Sequence, residues 1–131
     1  FFLSLITSSL FAKSDYFNQG LIFYEKNDLD KAKFKFEQDL VFNPKNEKSY
    51  LYLSKIFNTQ NKLDLEEQNL KVVILLNPKN EEATFNLAKL KLKDSDYKES
   101  KKLIDRLLIF CESYCQKSKK LKIQIENSLK K

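Results

Sequence analysis

Asn43-Pro44-Lys45-Asn46 recurs as Asn77-Pro78-Lys79-Asn80, and the step between the two is 34 residues. The tetrapeptide anchors a longer match. Set side by side without a gap, residues 13–46 and 47–80 also share Tyr16/Tyr50, Ile22/Ile56, Phe23/Phe57, Asn27/Asn61, Leu29/Leu63 and Asp30/Asp64, ten identities in 34 positions. Phe36/Leu70, Leu40/Ile74 and Phe42/Leu76 keep their apolar character. A period of this length marks a stacked array, in which each unit buries its apolar face on its neighbour.

Inside the unit the spacing is helical. Tyr16, Gly20 and Phe23 step by four and three, as do Ala32, Phe36 and Leu40. Lys26-Asn27-Asp28 interrupts the pattern. Asn tolerates the left-handed conformation that ends a helix, and Asp28 or Asp30 can cap the next one. Pro44 cannot continue a helix, so the second helix ends by Phe42 or Asn43. Each unit therefore reads as helix, tight turn, helix, turn.

These residues resemble the tetratricopeptide repeat (TPR), whose signature is an aromatic, Leu-Gly, Tyr, then Ala, Phe and Pro. The first unit supplies Tyr16, Gln19-Gly20, Phe23, Ala32, Phe36 and Pro44, and the second Tyr50, Leu53-Ser54, Phe57, Glu66, Leu70 and Pro78. A third supplies Thr84, Leu87-Ala88, Lys91, Tyr97, Ser100, Ile104 and Leu107, with Glu112 where Pro would stand. The resemblance implies an all-α solenoid of three repeats, 13–46, 47–80 and 81–114. Residues 115–131 then form a basic capping helix, with Leu121, Ile125 and Leu129 as its apolar stripe. Small residues at Gly20, Ser54 and Ala88 mark where the paired helices approach closest.

Composition narrows the chemistry. Among 131 residues there is one Gly and no His. That excludes Gly-rich phosphate loops and removes the commonest general base and metal ligand. Glu66-Glu67 and Asp94-Ser95-Asp96 read as helix-terminal carboxylates, exposed and of ordinary acidity. No catalytic residue, metal site or cofactor is expected. Cys111 and Cys115 are four apart, so they are either buried small hydrophobes or a bridge across a turn.

The net charge is +6, and residues 115–131 alone hold six Lys against one Glu. One alternative function is therefore a basic module that binds nucleic acid or anionic lipid through Lys117, Lys119, Lys120 and Lys122. Nucleic acid is the less favoured partner, because Arg106 is the only arginine and base recognition favours Arg.

Phe1–Ala12 reads FFLSLITSSLFA and is too short to span a bilayer. It fits the apolar part of a secretory signal cut after Ala12, the end of a membrane anchor, or the last helix of a preceding repeat. The absence of Met makes the chain read as part of a longer product. Export to a periplasmic or envelope location is the first expectation, with a cytoplasmic one behind it. Membrane association would run through this segment.

The resemblance implies a non-catalytic adaptor. Its first helices would line a concave groove that holds a partner peptide or helix, by analogy in a bacterial cell-envelope assembly. The groove positions are Phe17, Asn18, Leu21 and Tyr24, then Leu51, Tyr52, Lys55 and Asn58, then Phe85, Asn86, Lys89 and Leu92. Relatives that clamp a C-terminal carboxylate use cationic and amide groups at positions held here by Phe17, Leu21, Tyr52, Glu82 and Asn86. Such a clamp is not expected. Self-association through Phe1–Phe11 or the outer end of the array is a further reading.

Overall fold

The computed structural model describes residues 15–131. The expectations placed on residues 1–12 lie outside the described residues. Seven helices follow in chain order: α1 (Tyr16–Glu25), α2 (Leu29–Phe42), α3 (Glu47–Thr59), α4 (Leu63–Leu76), α5 (Glu81–Lys93), α6 (Tyr97–Phe110) and α7 (Cys115–Leu129). There is no strand among the described residues. The chain is an all-α solenoid: α1/α2, α3/α4 and α5/α6 form three hairpins, each packed on the next, and α7 lies against α6.

The turns inside the hairpins are copies of one device. Asn27, Asn61 and Ser95, at 34-residue intervals, have φ of 58°, 55° and 61°. The next residue donates its N–H back across the helix end each time: Asp28 to the Phe23 carbonyl at 2.9 Å, Lys62 to Phe57 at 2.8 Å, and Asp96 to Lys91 at 2.9 Å. These bonds close the terminal carbonyls of the first helix. Asp28 and Asp96 then accept from Lys31 N–H and Glu99 N–H as N-caps, whereas Lys62 brings no side-chain cap to α4. Asn46 and Asn80 cap α3 and α5 through Lys48 N–H and Ala83 N–H. The repeated Asn-Pro-Lys-Asn thus ends one helix and starts the next.

Two apolar clusters make the core. Ala32, Phe36, Leu53, Ile56 and Phe57 join the first two repeats. Leu70, Val73, Leu87, Ala88, Ile104, Leu107, Leu121 and Ile125 join the second repeat to the third and to the cap. Phe36, Leu70 and Ile104 occupy the same repeat position and are all fully buried. They answer the graded small residues Gly20, Ser54 and Ala88. An ideal Cβ built on Gly20 would sit 2.6 Å from Phe36 Cε1, so the largest partner faces the one glycine.

The first repeat departs from this apolar scheme at Asp39. Its equivalents Val73 and Leu107 are fully buried, and Asp39 itself is only 3% exposed. Its carboxylate accepts from Asn43 Nδ2 at 2.9 Å, Asn46 Nδ2 at 2.7 Å and Ser49 Oγ at 2.6 Å. These donors offset the cost of burying the charge.

The cap corrects one sequence expectation. Leu121 and Ile125 are buried, but Leu129 is 48% exposed, so the stripe ends a turn early and buried Ser118 extends it at the other end. The backbone turns between α6 and α7, and Cys111 and Cys115 are joined in a disulfide with Cα atoms 5.3 Å apart. Residues between the two cysteines are held to α5, because the Glu81 carboxylate accepts from Glu112 N–H and from Ser113 N–H, the latter at 3.1 Å.

Candidate functional site

The first helices α1, α3 and α5 share one face of the array, and the positions expected to line a groove fall on them. Their environments divide that face in two. The α1 end is filled by its own aromatic rings. Tyr52 stacks on Phe36 at 5.3 Å, meets Tyr24 edge-on at 5.0 Å and Phe17 at 6.0 Å. Phe17 also touches Phe36 at 5.7 Å. Phe17, Leu21, Tyr24 and Tyr52 are therefore half-buried supports of the first core cluster. Leu51 corrects the sequence assignment. At 8% exposure it belongs to the second core cluster and offers a ligand almost nothing. Asn18 is exposed but turned toward its own helix start, where its amide is bonded to the Asp15 carboxylate.

The α3–α5 end is open. A cavity of about 400 Å³ there is lined by Lys55, Asn58, Glu66, Asn86, Lys89 and Lys93, with Tyr24, Ser54, Thr59 and Leu90 completing the wall. Lys55 sits 2.6 Å from Glu82 of α5 and 4.7 Å from the Tyr52 ring centroid. Burial works against its ammonium, but the Glu82 carboxylate, helped by Tyr52 and Tyr24, outweighs that and holds its pKa above the ordinary value. This pair bridges neighbouring repeats and fixes Lys55 in place. Glu82 occupies one of the carboxylate-clamp positions, and its charge opposes an incoming carboxylate there.

The sequence reading makes Glu66 exposed and of ordinary acidity, and it is neither. It is 4% exposed at the back of the cavity, where Asn58 Nδ2 donates to both carboxylate oxygens at 3.1 and 3.2 Å. Burial raises its pKa, against the pull of that amide and of the Lys93 and Lys89 charges. Its neighbour Glu67 behaves in the opposite way. Hydrogen bonds from Lys71 and Lys91 hold its pKa low, and the Lys91 contact at 2.7 Å ties α4 to α5. Nothing in the sequence separates these two glutamates except register: Glu66 stands where the first repeat has the buried Ala32.

Phe85, Lys89 and Leu92 open toward the cap. Phe85 lies 5.5 Å from Tyr114, and Lys89 and Lys117 sit over the two rings. A second cleft, of about 420 Å³, lies between α5 and α7 over Phe85, Leu92 and Leu121. The basic cap does not present one plane of charge. Lys117 and Lys120 border this cleft, while Lys122 is bound to Asp105 of α6 at 2.8 Å. Among the described residues no group of three or more Cys, Asp or Glu is placed to hold a metal, and no helix is long and apolar enough to cross a membrane.

Solved tetratricopeptide-repeat domains superpose on the described helices. The fold is a tetratricopeptide-repeat array. The first TPR domain of Spaghetti (RPAP3), bound to the HSP90 peptide SRMEEVD, superposes with a TM-score of 0.80 at 16% identity, covering 88% of this chain and 91% of that one. The TPR2B-domain:pHsp70 complex of yeast Sti1 gives 0.78 at 12% identity, covering 86% and 94%. The Yersinia enterocolitica type III secretion translocator chaperone SycD, in an alternative dimer, gives 0.74 at 15% identity, covering 88% and 93%. No family model matches the chain, and no curated protein matches it in sequence. The likeness to these structures is thus one of fold, at 12–16% identity.

Proposed function

We propose that this TPR array is a non-catalytic adaptor that holds a segment of another protein against α3, α5 and α7. The observation that carries the reading is the open cavity between α3 and α5, which is lined by Asn86, Lys89 and Lys93 beside the Asn58–Glu66 pair, while the α1 end is closed by its own rings. Amides and ammonium groups around a partly apolar wall suit a peptide backbone with a few polar side chains. One structural neighbour is bound to an HSP90 peptide and another is a pHsp70 complex, which supports this use of the face. The carboxylate-tail mode does not carry over, because Phe17, Leu21, Tyr52 and Glu82 stand at four of its positions. Export to an envelope assembly is the accompanying proposal, supported by the apolar Phe1–Ala12 stretch and tested by the mature amino terminus.

A photoreactive amino acid at position 58 or 86 should crosslink the partner from the native source. The same group at position 102, whose Lys side chain is 79% exposed on α6, should not. Equal crosslinking at all three positions, or at 102 alone, would overturn the adaptor reading. The basic-module alternative is less well supported, since Lys122 is engaged by Asp105 and the chain's cationic surface is almost wholly Lys rather than Arg.

A further inference from the structure

We infer that the cleft between α5 and α7 is a docking site for an acidic amphipathic segment of a partner protein. Its apolar side chains would rest on Phe85, Leu92 and Leu121 and its carboxylates would meet Lys89, Lys93, Lys117 and Lys120. The inference rests on the adaptor reading and specifies which chemistry the groove selects at its cap end.

Two properties coincide in this cleft. The first is an apolar floor in an open trough. Leu121 is buried at its base, Leu92 is half-buried, and Phe85 is fixed between Tyr114 and Lys89. The second is uncompensated charge. Four lysines border the trough and no carboxylate lines it. Several other lysines do have carboxylate partners: Lys33 with Glu37, Lys55 with Glu82, Lys71 and Lys91 with Glu67, Lys101 and Lys122 with Asp105. Among the described residues no acid lies within ion-pair distance of the four cleft lysines. Lys93 reaches only the Asn61 amide oxygen, at 3.4 Å, and Lys89 and Lys117 rest over Phe85 and Tyr114. Glu66 is close enough to feel Lys89 and Lys93 but is held on the far side by Asn58. Like charges gathered around a low-dielectric floor raise the local potential, and a partner bringing two or three carboxylates with an apolar anchor relieves it.

A concave trough of about 420 Å³ fits a side-chain ridge better than a flat lipid surface, which would need coplanar cations, and Lys122 is turned away. Nucleic acid is the less favoured occupant, because the cations bordering the trough are lysines alone and it holds no arginine.

The test uses the whole chain and a fluorescein-labelled helical peptide of Leu and Glu, with one control carrying Gln for Glu and another carrying Ser for Leu. Fluorescence anisotropy should show saturable binding of the Leu/Glu peptide, with each control weaker by about tenfold or more. The double variant Lys93→Glu/Lys120→Glu should weaken binding by about tenfold to a hundredfold, whereas Lys119→Glu should change it by less than about twofold. Circular dichroism confirms that each variant is folded.

No saturable binding, equal loss with Lys119→Glu, or equally tight binding to a single-stranded oligonucleotide or to vesicles of anionic phospholipid would overturn the inference. Crosslinking at position 58 separates the two readings. If it persists while the peptide tests fail, the adaptor stands and the acidic cleft falls; if it is lost as well, both fall.

Discussion

Replacing Gly20 by Ala tests the closest approach in the array. In an isolated helix the change would stabilise by about 1 kcal/mol, because Gly loses more backbone freedom on folding. Here the new methyl would stand 2.6 Å from Phe36 Cε1, 2.7 Å from Cδ1 and 3.0 Å from Cζ. Carbon atoms rest at about 3.5–4.0 Å, so the overlap is about 1 Å. The ring has little room to yield, since Phe36 is fully buried with Phe17 and Tyr52 against it at 5.7 and 5.3 Å. Overpacking of this kind costs about 1–3 kcal/mol, leaving a net loss of about 0–2 kcal/mol after the propensity gain. At about 4 °C per kcal/mol for a chain of this size, Tm should fall by up to about 8 °C. Urea unfolding of a double-mutant cycle isolates the cause. Phe36→Leu alone should cost about 1–2 kcal/mol, while in the Gly20→Ala background it should cost less, because the smaller side chain vacates the overlap. A rise in Tm for Gly20→Ala, or simple additivity in the cycle, would refute the packing argument.

Asp39→Ala removes the acceptor of fully buried Ser49 Oγ and of the Asn46 amide, and should cost about 2–3 kcal/mol in urea unfolding, with Ser49→Ala in the same background recovering part of it. Opening the Cys111–Cys115 bridge, by reductant or by a Cys→Ser pair, frees a short loop at the cap. It should lower stability by about 2 kcal/mol in a comparison of oxidised and reduced unfolding curves. Glu66 binds a proton more readily folded than unfolded, so wild-type stability should decline as pH rises from the ordinary glutamate range through the raised folded pKa. Glu66→Gln should abolish that decline and match or exceed wild type at pH 7, which a Tm series against pH will read. Glu67 has the opposite sign. Its folded pKa is lowered, so its contribution is present above the ordinary range and disappears as pH falls through the lowered value; Glu67→Gln should be the less stable protein at pH 7.

The architecture was readable because repetition amplifies weak signals. Asn27 alone is a modest hint of a left-handed turn, but Asn27 and Asn61 at one register are a strong one, and Ser95 follows them with the same φ. The Pro44 and Pro78 stops worked in the same way. The site was harder to read, because the sequence gives register and not occupancy. Tyr52 and Phe17 fell on the expected face, yet their rings satisfy one another, and nothing in a single unit shows that Phe36 reaches them. Leu51 lies on the boundary where a helix turns from groove to core, and one residue of rotation decides it. The polar exceptions were the least legible. Asp39 reads as a solvated helix residue until its three donors, four, seven and ten positions downstream, are brought round it by the Pro44 turn. The disulfide needed a break between α6 and α7 that only the packed cap supplies, while the cleft between α5 and α7 needs two elements that the pattern of either one does not relate.

The helix α3 has Leu53, Ile56 and Phe57 in one core cluster and Leu51 in the other. It is a party wall between a small room and a larger one. Should α1 detach, only Gly20 among its residues leaves a fully enclosed place, and the larger room keeps its walls. Amide exchange should therefore run fastest in α1 and slowest in α4 through α6, so that the array unravels from one side. The face that we assign to partner capture then lies on the half that opens last.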